Sequence, residues 1–254
     1  MFNFVKKIYH YYKFYSGPYS SWKIASLKSE GYGSKKILSR VRKSTHITKR
    51  SREKFEIDSL IFSKPLRNNK LEKILKNILK KKSKINVIDF GGSLGSTFYR
   101  YKSIFKKKNK IKWSIIEQKS FVKIGRKEFE NSQLNFFYNL NEFKKKNKNI
   151  KIDIFLLSSS IQYIKDFKTI IKKIIHINPD YIVILKTPFT FKIKNKIFIE
   201  KVPENIYGIS YPSWIFSKNS FINLFVNYKV IYNKIVKPWI YSIYFHDIFL
   251  KKND

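Results

Sequence analysis

The chain has 254 residues, 43% of them hydrophobic, which is enough to bury one substantial α/β core with an appendage and too little for a second large domain. It contains no cysteine, so disulfides, thiolate metal sites and a cysteine nucleophile are excluded, and a reducing, cytoplasmic setting is the default expectation. Its 54 Lys plus Arg against 17 Asp plus Glu give a formal net charge of +37, which attracts polyanions without selecting among them. Lysine is scattered along the chain and far outnumbers arginine. Lys, Asn, Ile, Phe and Tyr are enriched together, as codon bias toward A and T would produce. Specific nucleic-acid recognition is therefore not expected. No apolar run reaches the roughly 18 residues needed to cross a bilayer, and the lysines within MFNFVKKIYHYYKFY break up a signal-peptide core.

Residues 1–67 read as a basic, aromatic-rich helical extension, with loop signals at Ser16-Gly17-Pro18 and Gly31-Tyr32-Gly33 and short helices around Trp22 and Ile37. Leu71, Ile74, Leu75, Ile78 and Leu79 share one helical face, with Asn69 and Glu72 at capping-box spacing. From Ile85 strands and helices alternate, the pattern of a parallel sheet with helices on both faces. The expected strands are Ile85–Phe90, Lys112–Glu117, Asn135–Tyr138, Ile152–Ser158 and Tyr181–Lys186. Asp166 is placed to cap a helix through Phe167, Ile170, Ile171, Ile174 and Ile175 that ends before Asn178-Pro179. The stretch at about 187–217 reads as a long irregular lid or substrate insertion within a domain spanning 68–254. A helix near Phe221–Phe225, capped by Ser217, and an antiparallel pair, Tyr228–Val236 and Trp239–Leu250, joined near Pro238, complete the reading.

The chemistry concentrates where the first strand runs into glycines. In Asp89-Phe90-Gly91-Gly92-Ser93-Leu94-Gly95, backbone N–H groups become available and a ligand can approach where a Cβ would obstruct it. The Asp89 carboxylate can orient this loop or meet a ligand ammonium group, and the turn has room for an amino-acid-bearing nucleoside. The next strand ends at Glu117, about 20 residues on, where an acid can accept hydrogen bonds from ribose hydroxyls. The dinucleotide fingerprint G-x-G-x-x-G fails because Ser93 and Ser96 occupy glycine positions, and no Lys-Ser/Thr pair closes a Walker loop.

The segments NVIDFGGSLGSTF, WSIIEQ, FLLSSSIQYI, TPF and VPENIYGISYPSWIFS resemble a biochemically little-characterised family of class I S-adenosylmethionine-dependent methyltransferases. The similarity extends upstream through SSWKIASLKSEGYGSKKIL and FEIDSLIF. It implies an α/β, three-layer Rossmann-like fold with a seven-stranded sheet whose last strand is antiparallel. It also implies S-adenosyl-L-methionine as cofactor and a context in bacterial surface-polysaccharide biosynthesis. On that resemblance Asp89, Gly91, Gly92, Gly95 and Glu117 hold the cofactor; Ser93, within the same loop, and Ser158, at the end of the fourth strand, are cofactor-binding candidates by position. Ser93 replaces the middle glycine of the general pattern, and Leu185-Lys186 stands where an Asp-Arg pair commonly precedes Thr-Pro-Phe.

Acceptor-side candidates are Ser159, Gln162, Tyr163, Thr187, Tyr211 and Trp214, near the carboxyl edge of the sheet or in the insertion, each with a competing role in packing or capping. An aromatic among them could face the sulfonium. His10, His46, His176 and His246 lack metal-ligand spacing, so no metal is expected. His246 alone merits testing as a base, and no catalytic base is assigned. The expected activity is methyl transfer to an oxygen or nitrogen of a small-molecule or glycan acceptor. The rivals are an RNA methyltransferase and a non-enzymatic protein of the same fold, peripheral to anionic membrane through its N-terminal extension.

Overall fold

A computed structural model describes residues 14–31, 33, 35–51, 53–64, 66–105, 110–238 and 243–253. In chain order the elements begin with β1 (Tyr15–Tyr19), α1 (Trp22–Leu27), α2 (Lys35–Arg50), β2 (Phe55–Ile57), β3 (Leu60–Phe62), α3 (Asn69–Lys81) and β4 (Lys84–Phe90). They continue with α4 (Ser96–Tyr101), β5 (Lys110–Ile116), α5 (Lys119–Ile124), β6 (Leu134–Phe137), α6 (Leu140–Lys146) and β7 (Ile154–Ser158). The remainder is α7 (Phe167–Ile177), β8 (Tyr181–Thr190), β9 (Lys196–Val202), β10 (Ile209–Ser217), α8 (Lys218–Ile222), β11 (Tyr228–Pro238) and β12 (Ile243–Lys252). These elements form two units, one from Lys35–Leu157 with Asn178–Val183, the other from the described residues of Met1–Ser34, Ser158–Ile177 and Ile184–Asp254.

The first unit is built on a parallel sheet in the order β7-β4-β5-β6, with Val87 opposite Trp113 and Ile154, and Trp113 opposite Leu134. Ile85, Val87, Ile88, Trp113, Ile115, Phe155 and Leu156 are all buried, as expected of strands covered on both faces. The start of β8 continues this order, with the Tyr181 amide donating to Asp153 O at 2.9 Å. Because the chain steps outward from β4 to β5 and β6 and then returns to β7 on the other side of β4, a topological switch point lies at β4.

Helix α3 buries Leu71, Ile74, Leu75 and Ile78, as its periodicity predicts. Its cap is Asn68, one residue before the expected Asn69: the Asn68 backbone is extended and its Oδ1 accepts from the amides of Lys70 (3.0 Å) and Leu71 (3.1 Å). Glu72 instead pairs with Lys76 at 2.6 Å, one turn on.

In the second unit the far part of β8 pairs in parallel with the end of β10, Phe189 opposite Phe216 and Thr190 opposite Ser217. β9 runs antiparallel to β10, and β1 antiparallel to β9. The stretch expected to be irregular at 187–217 is therefore mostly strand. Ile197, Phe198, Ile199, Tyr211, Ile215 and Phe216 are buried by this pairing. Interleaved lysines and three prolines concealed the pattern, because their side chains say nothing of which backbone will receive them as partner. Ser16-Gly17-Pro18 likewise lies inside β1 instead of a loop, with the ladder interrupted between Ser16 and Tyr19 and Gly17 at φ +133°. The N-terminal stretch thus adds strands as well as the helices α1 and α2.

The expected closing pair is present: β12 runs antiparallel to β11 and also pairs with β8. Helix α8 spans Lys218–Ile222, earlier than the expected Phe221–Phe225, and Ser217 at its start makes no side-chain capping bond, its Oγ lying 3.1 Å from Ser220 Oγ. The first thirteen residues, including His10, together with Tyr32 and residues 239–242, Trp239 among them, lie outside the described residues. Among the described residues no helix is long and apolar enough to cross a membrane.

Candidate cofactor site

The loop after β4 departs from ordinary backbone at three positions. Gly91 (φ +72°), Ser93 (φ +55°) and Gly95 (φ +102°) are all left-handed. The turn is pinned by the Gly91 amide donating to Ile116 O at 2.9 Å and the Gly95 amide to Gly92 O at 3.0 Å. Glycine is required at Gly92 for a different reason. A Cβ there would meet Asp89 Cγ at 2.6 Å, because the loop folds directly over that carboxylate. Ser93, the departure from an all-glycine pattern, takes up the left-handed conformation at a cost of about 1 kcal/mol or more.

Asp89 is 1% exposed. Its Oδ2 accepts the indole N–H of Trp113 at 3.0 Å, while Oδ1 has no hydrogen-bond partner. Burial pushes its pKa up to about 7, opposed in part by the Trp113 bond and by the charge of Arg100. Between the two roles open to Asp89, this geometry favours orienting the loop from beneath. Trp113 and Arg100 were absent from the sequence-based list. No local signal marks Trp113, whose reach to Asp89 depends on the β4–β5 register.

Glu117, the residue after β5, is also buried, at 8% exposure. Its Oε2 accepts the Gln118 amide at 2.5 Å, and its own amide donates to Phe137 O at 3.1 Å. Burial raises its pKa to about 7. The Gln118 amide works against that rise, the nearby Asp89 charge adds to it, and the Ser93 amide favours the carboxylate. Two acids and the glycine loop thus converge at the carboxyl ends of adjacent strands, beside the switch point, where doubly wound sheets bind ligands. Asp89 Oδ1 and Ser93 Oγ, both buried and unpartnered, remain there as polar atoms that a donor-rich ligand could satisfy. The residues fit an aminoacyl nucleoside.

Below this loop Glu56, also missed from sequence, accepts Ser96 Oγ and the Ser59 amide (2.6 Å), and Arg100 Nη2 donates to Glu56 O at 3.1 Å. The start of α4 is thereby tied to the β2–β3 hairpin.

The remaining sequence candidates lie in the second unit. Ser158 ends β7, and Ser159 (φ +50°) donates its amide to Leu185 O at 2.9 Å and its Oγ to Lys186 O at 3.4 Å. Thr187 is fully buried, its Oγ1 donating to Leu185 O at 3.3 Å. Trp214 packs on Trp22 and Phe167 and donates its indole N–H to Ile164 O at 3.1 Å.

Tyr163 and Tyr211 meet edge to face at 4.8 Å, and the Tyr163 hydroxyl donates to Glu200 Oε2 at 2.9 Å. Burial, then the Glu200 charge, hold the Tyr163 phenol well above its ordinary pKa. Gln162, beside Tyr163 in sequence, is buried with its Oε1 unpartnered. Glu200, an acid within the apolar run IFIEKV, was detectable as a charge in a strand, but its partner was not.

His246 Nδ1 lies 2.7 Å from Asn233 Oδ1, an oxygen that only accepts, so Nδ1 carries the proton. Burial and then the Lys218 charge depress its pKa to about 4, which makes it a poor proton acceptor at neutral pH. Among the described residues no group of His, Asp and Glu is arranged to hold a metal ion.

No protein-family model and no curated protein sequence matches the chain. Among solved structures, the N-terminal domain of EvdMO1 with SAH bound aligns with TM-score 0.53 at 8% identity, covering 85% of this chain and 97% of that one. An S-adenosylmethionine-dependent methyltransferase from Clostridium acetobutylicum ATCC 824 aligns with TM-score 0.47 at 10% identity, covering 74% and 93%. The Burkholderia thailandensis 1,6-didemethyltoxoflavin-N1-methyltransferase aligns with TM-score 0.42 at 10% identity, covering 80% and 100%. Together with the strand order, the first likeness shows a mixed α/β, Rossmann-like fold, the fold of a domain solved with SAH bound.

Proposed function

We propose that this protein is an S-adenosylmethionine-dependent methyltransferase acting on an oxygen or nitrogen of a small-molecule or glycan acceptor, with surface-polysaccharide biosynthesis as its context. The observation that carries the reading is the Gly91–Gly95 loop folded over the buried Asp89, with Glu117 at the end of the neighbouring strand. When bound, S-adenosylmethionine supplies an electrophilic methyl group on a sulfonium, for in-line transfer to a nucleophile. Gly92 and Ser93 would give their backbone to the aminoacyl part, and Asp89 would hold the loop in that shape. Glu117 would accept the ribose hydroxyls on its carboxylate, beside the Gln118 and Ser93 amides. An acceptor hydroxyl must lose its proton to a base, and no residue is assigned to that task; positioning supplies the rest of the rate. The SAH held by the N-terminal domain of EvdMO1 supports the choice of donor.

Isothermal titration tests the assignment. S-adenosylmethionine should bind the wild-type chain, with Glu117→Ala weakening it roughly 10-fold or more, the size expected for hydrogen bonds to a charged group, and Asp89→Ala weakening it through loss of the loop's shape. Unchanged affinity in either variant removes that residue's role.

A further inference from the structure

Between β8 and β9 the chain turns through Phe191-Lys192-Ile193-Lys194-Asn195. Ile193 is 87% exposed and Phe191 60% exposed, so two large apolar side chains stand in water at one tip. Isolated exposed apolar residues are ordinary, but two on one turn, alternating with exposed lysines, are not. The tip is also held in place. The Lys192 amide donates to Thr190 Oγ1 at 3.2 Å, and Asn195 Oδ1 accepts the Ser217 amide at 2.7 Å. The Phe191 ring rests against Tyr244 (5.2 Å between centroids) and His246 (6.2 Å), with Lys218 Nζ 5.2 Å from its centre. The fold has therefore already met part of the entropy of presenting this turn.

We propose that this β8–β9 turn is a docking point on an anionic lipid surface, with Ile193 and Phe191 entering the acyl boundary and Lys192, Lys194 and Lys196 meeting the headgroups. Complementary charge argues for that occupant: from Thr187 to Ile199 the sequence has no acidic residue, and the whole chain carries +37. Nucleic acid would meet the same charge, but Ile193 has no π face on which a base could stack, and the turn has no arginine to fork a phosphate. A single tip of two apolar residues gives reversible binding, with each lysine near the surface worth about a fivefold gain. The inference is independent of the methyl-donor assignment, since vesicle binding and cofactor binding are separate measurements.

The absence of cysteine makes Ile193→Cys a unique labelling site in the full chain. Carrying an environment-sensitive fluorophore there, it should shift to the blue on vesicles of mixed phosphatidylglycerol and phosphatidylcholine, and stay unshifted on phosphatidylcholine alone. Nitroxide-bearing acyl chains should quench it. In flotation, Phe191→Ser/Ile193→Ser should lose on the order of tenfold in partitioning at unchanged net charge, whereas Leu27→Ser, at an equally exposed site, should float like wild type. An unshifted label on anionic vesicles, or undiminished flotation of the double variant, overturns the proposal. So does a loss confined to binding of single-stranded RNA.

Discussion

The indole N–H of Trp113 donates to Asp89 Oδ2 at 3.0 Å, across two parallel strands, and the glycine loop closes over the acid so held. This bond favours the ionised carboxylate, against the burial that favours the neutral acid. Trp113→Phe keeps the ring and removes the bond. It should raise the Asp89 pKa further and cost about 1–3 kcal/mol of stability, more at pH 8 than at pH 5.5. Denaturant unfolding at the two pH values checks this, and an equal loss at both would refute the charge dependence.

Stability of the ligand-free protein should fall as pH rises. Asp89 and Glu117 both have folded-state pKa values near 7, above the ordinary carboxylate range, so the fold prefers them protonated. Their favourable contribution is complete below the unfolded pKa near 4 and is lost as pH rises through about 7, at roughly 4 kcal/mol for each group. Asp89→Asn should flatten that part of the dependence. A wild-type melting temperature that is constant between pH 5 and pH 8 would show these acids to be better solvated than their burial implies.

Cofactor binding should run the other way with pH. Under the proposed function the ribose hydroxyls donate to the Glu117 carboxylate, so affinity should weaken as pH falls through about 7, and binding at neutral pH should release protons. Titrations in buffers of different ionisation enthalpy measure the release directly. Glu117→Gln should abolish most of the pH dependence along with part of the affinity.

Gly92 tests the closeness of loop and acid. In Gly92→Ala the new Cβ would fall 2.6 Å from Asp89 Cγ, so the carboxylate must shift or the loop must lift. A destabilisation of about 1–3 kcal/mol is expected, with S-adenosylmethionine affinity reduced at least as much as in Asp89→Ala. Wild-type binding by Gly92→Ala would mean that the loop does not rest on the acid.

Tyr163→Phe removes a buried hydroxyl from Glu200 and should cost about 1–2 kcal/mol. The phenol's pKa lies well above 10, so wild type and variant should differ equally from pH 6 to pH 9. A difference that changes within that range would overturn this reading of the phenol.

Much of this protein follows from local pattern. The runs INVIDF and KWSII read as buried strands because burial on both faces demands continuous apolar residues, and α3 and α7 announce themselves by helical spacing. Gly91, Gly92, Gly95, Asp89 and Glu117 were legible as one candidate site because glycines after a strand, followed by an acid at the next strand's end, have few other uses. Tertiary structure alone decided what register and long-range pairing control: that Trp113 reaches Asp89, that Glu200 meets Tyr163, and that lysine-rich 196–217 forms a hairpin pairing with both β8 and β1. Periodicity records how a residue's own backbone turns, but not which distant backbone will lie beside it, and those partners fixed the loop's acid, the Tyr163–Glu200 pair and the exposed turn at Ile193.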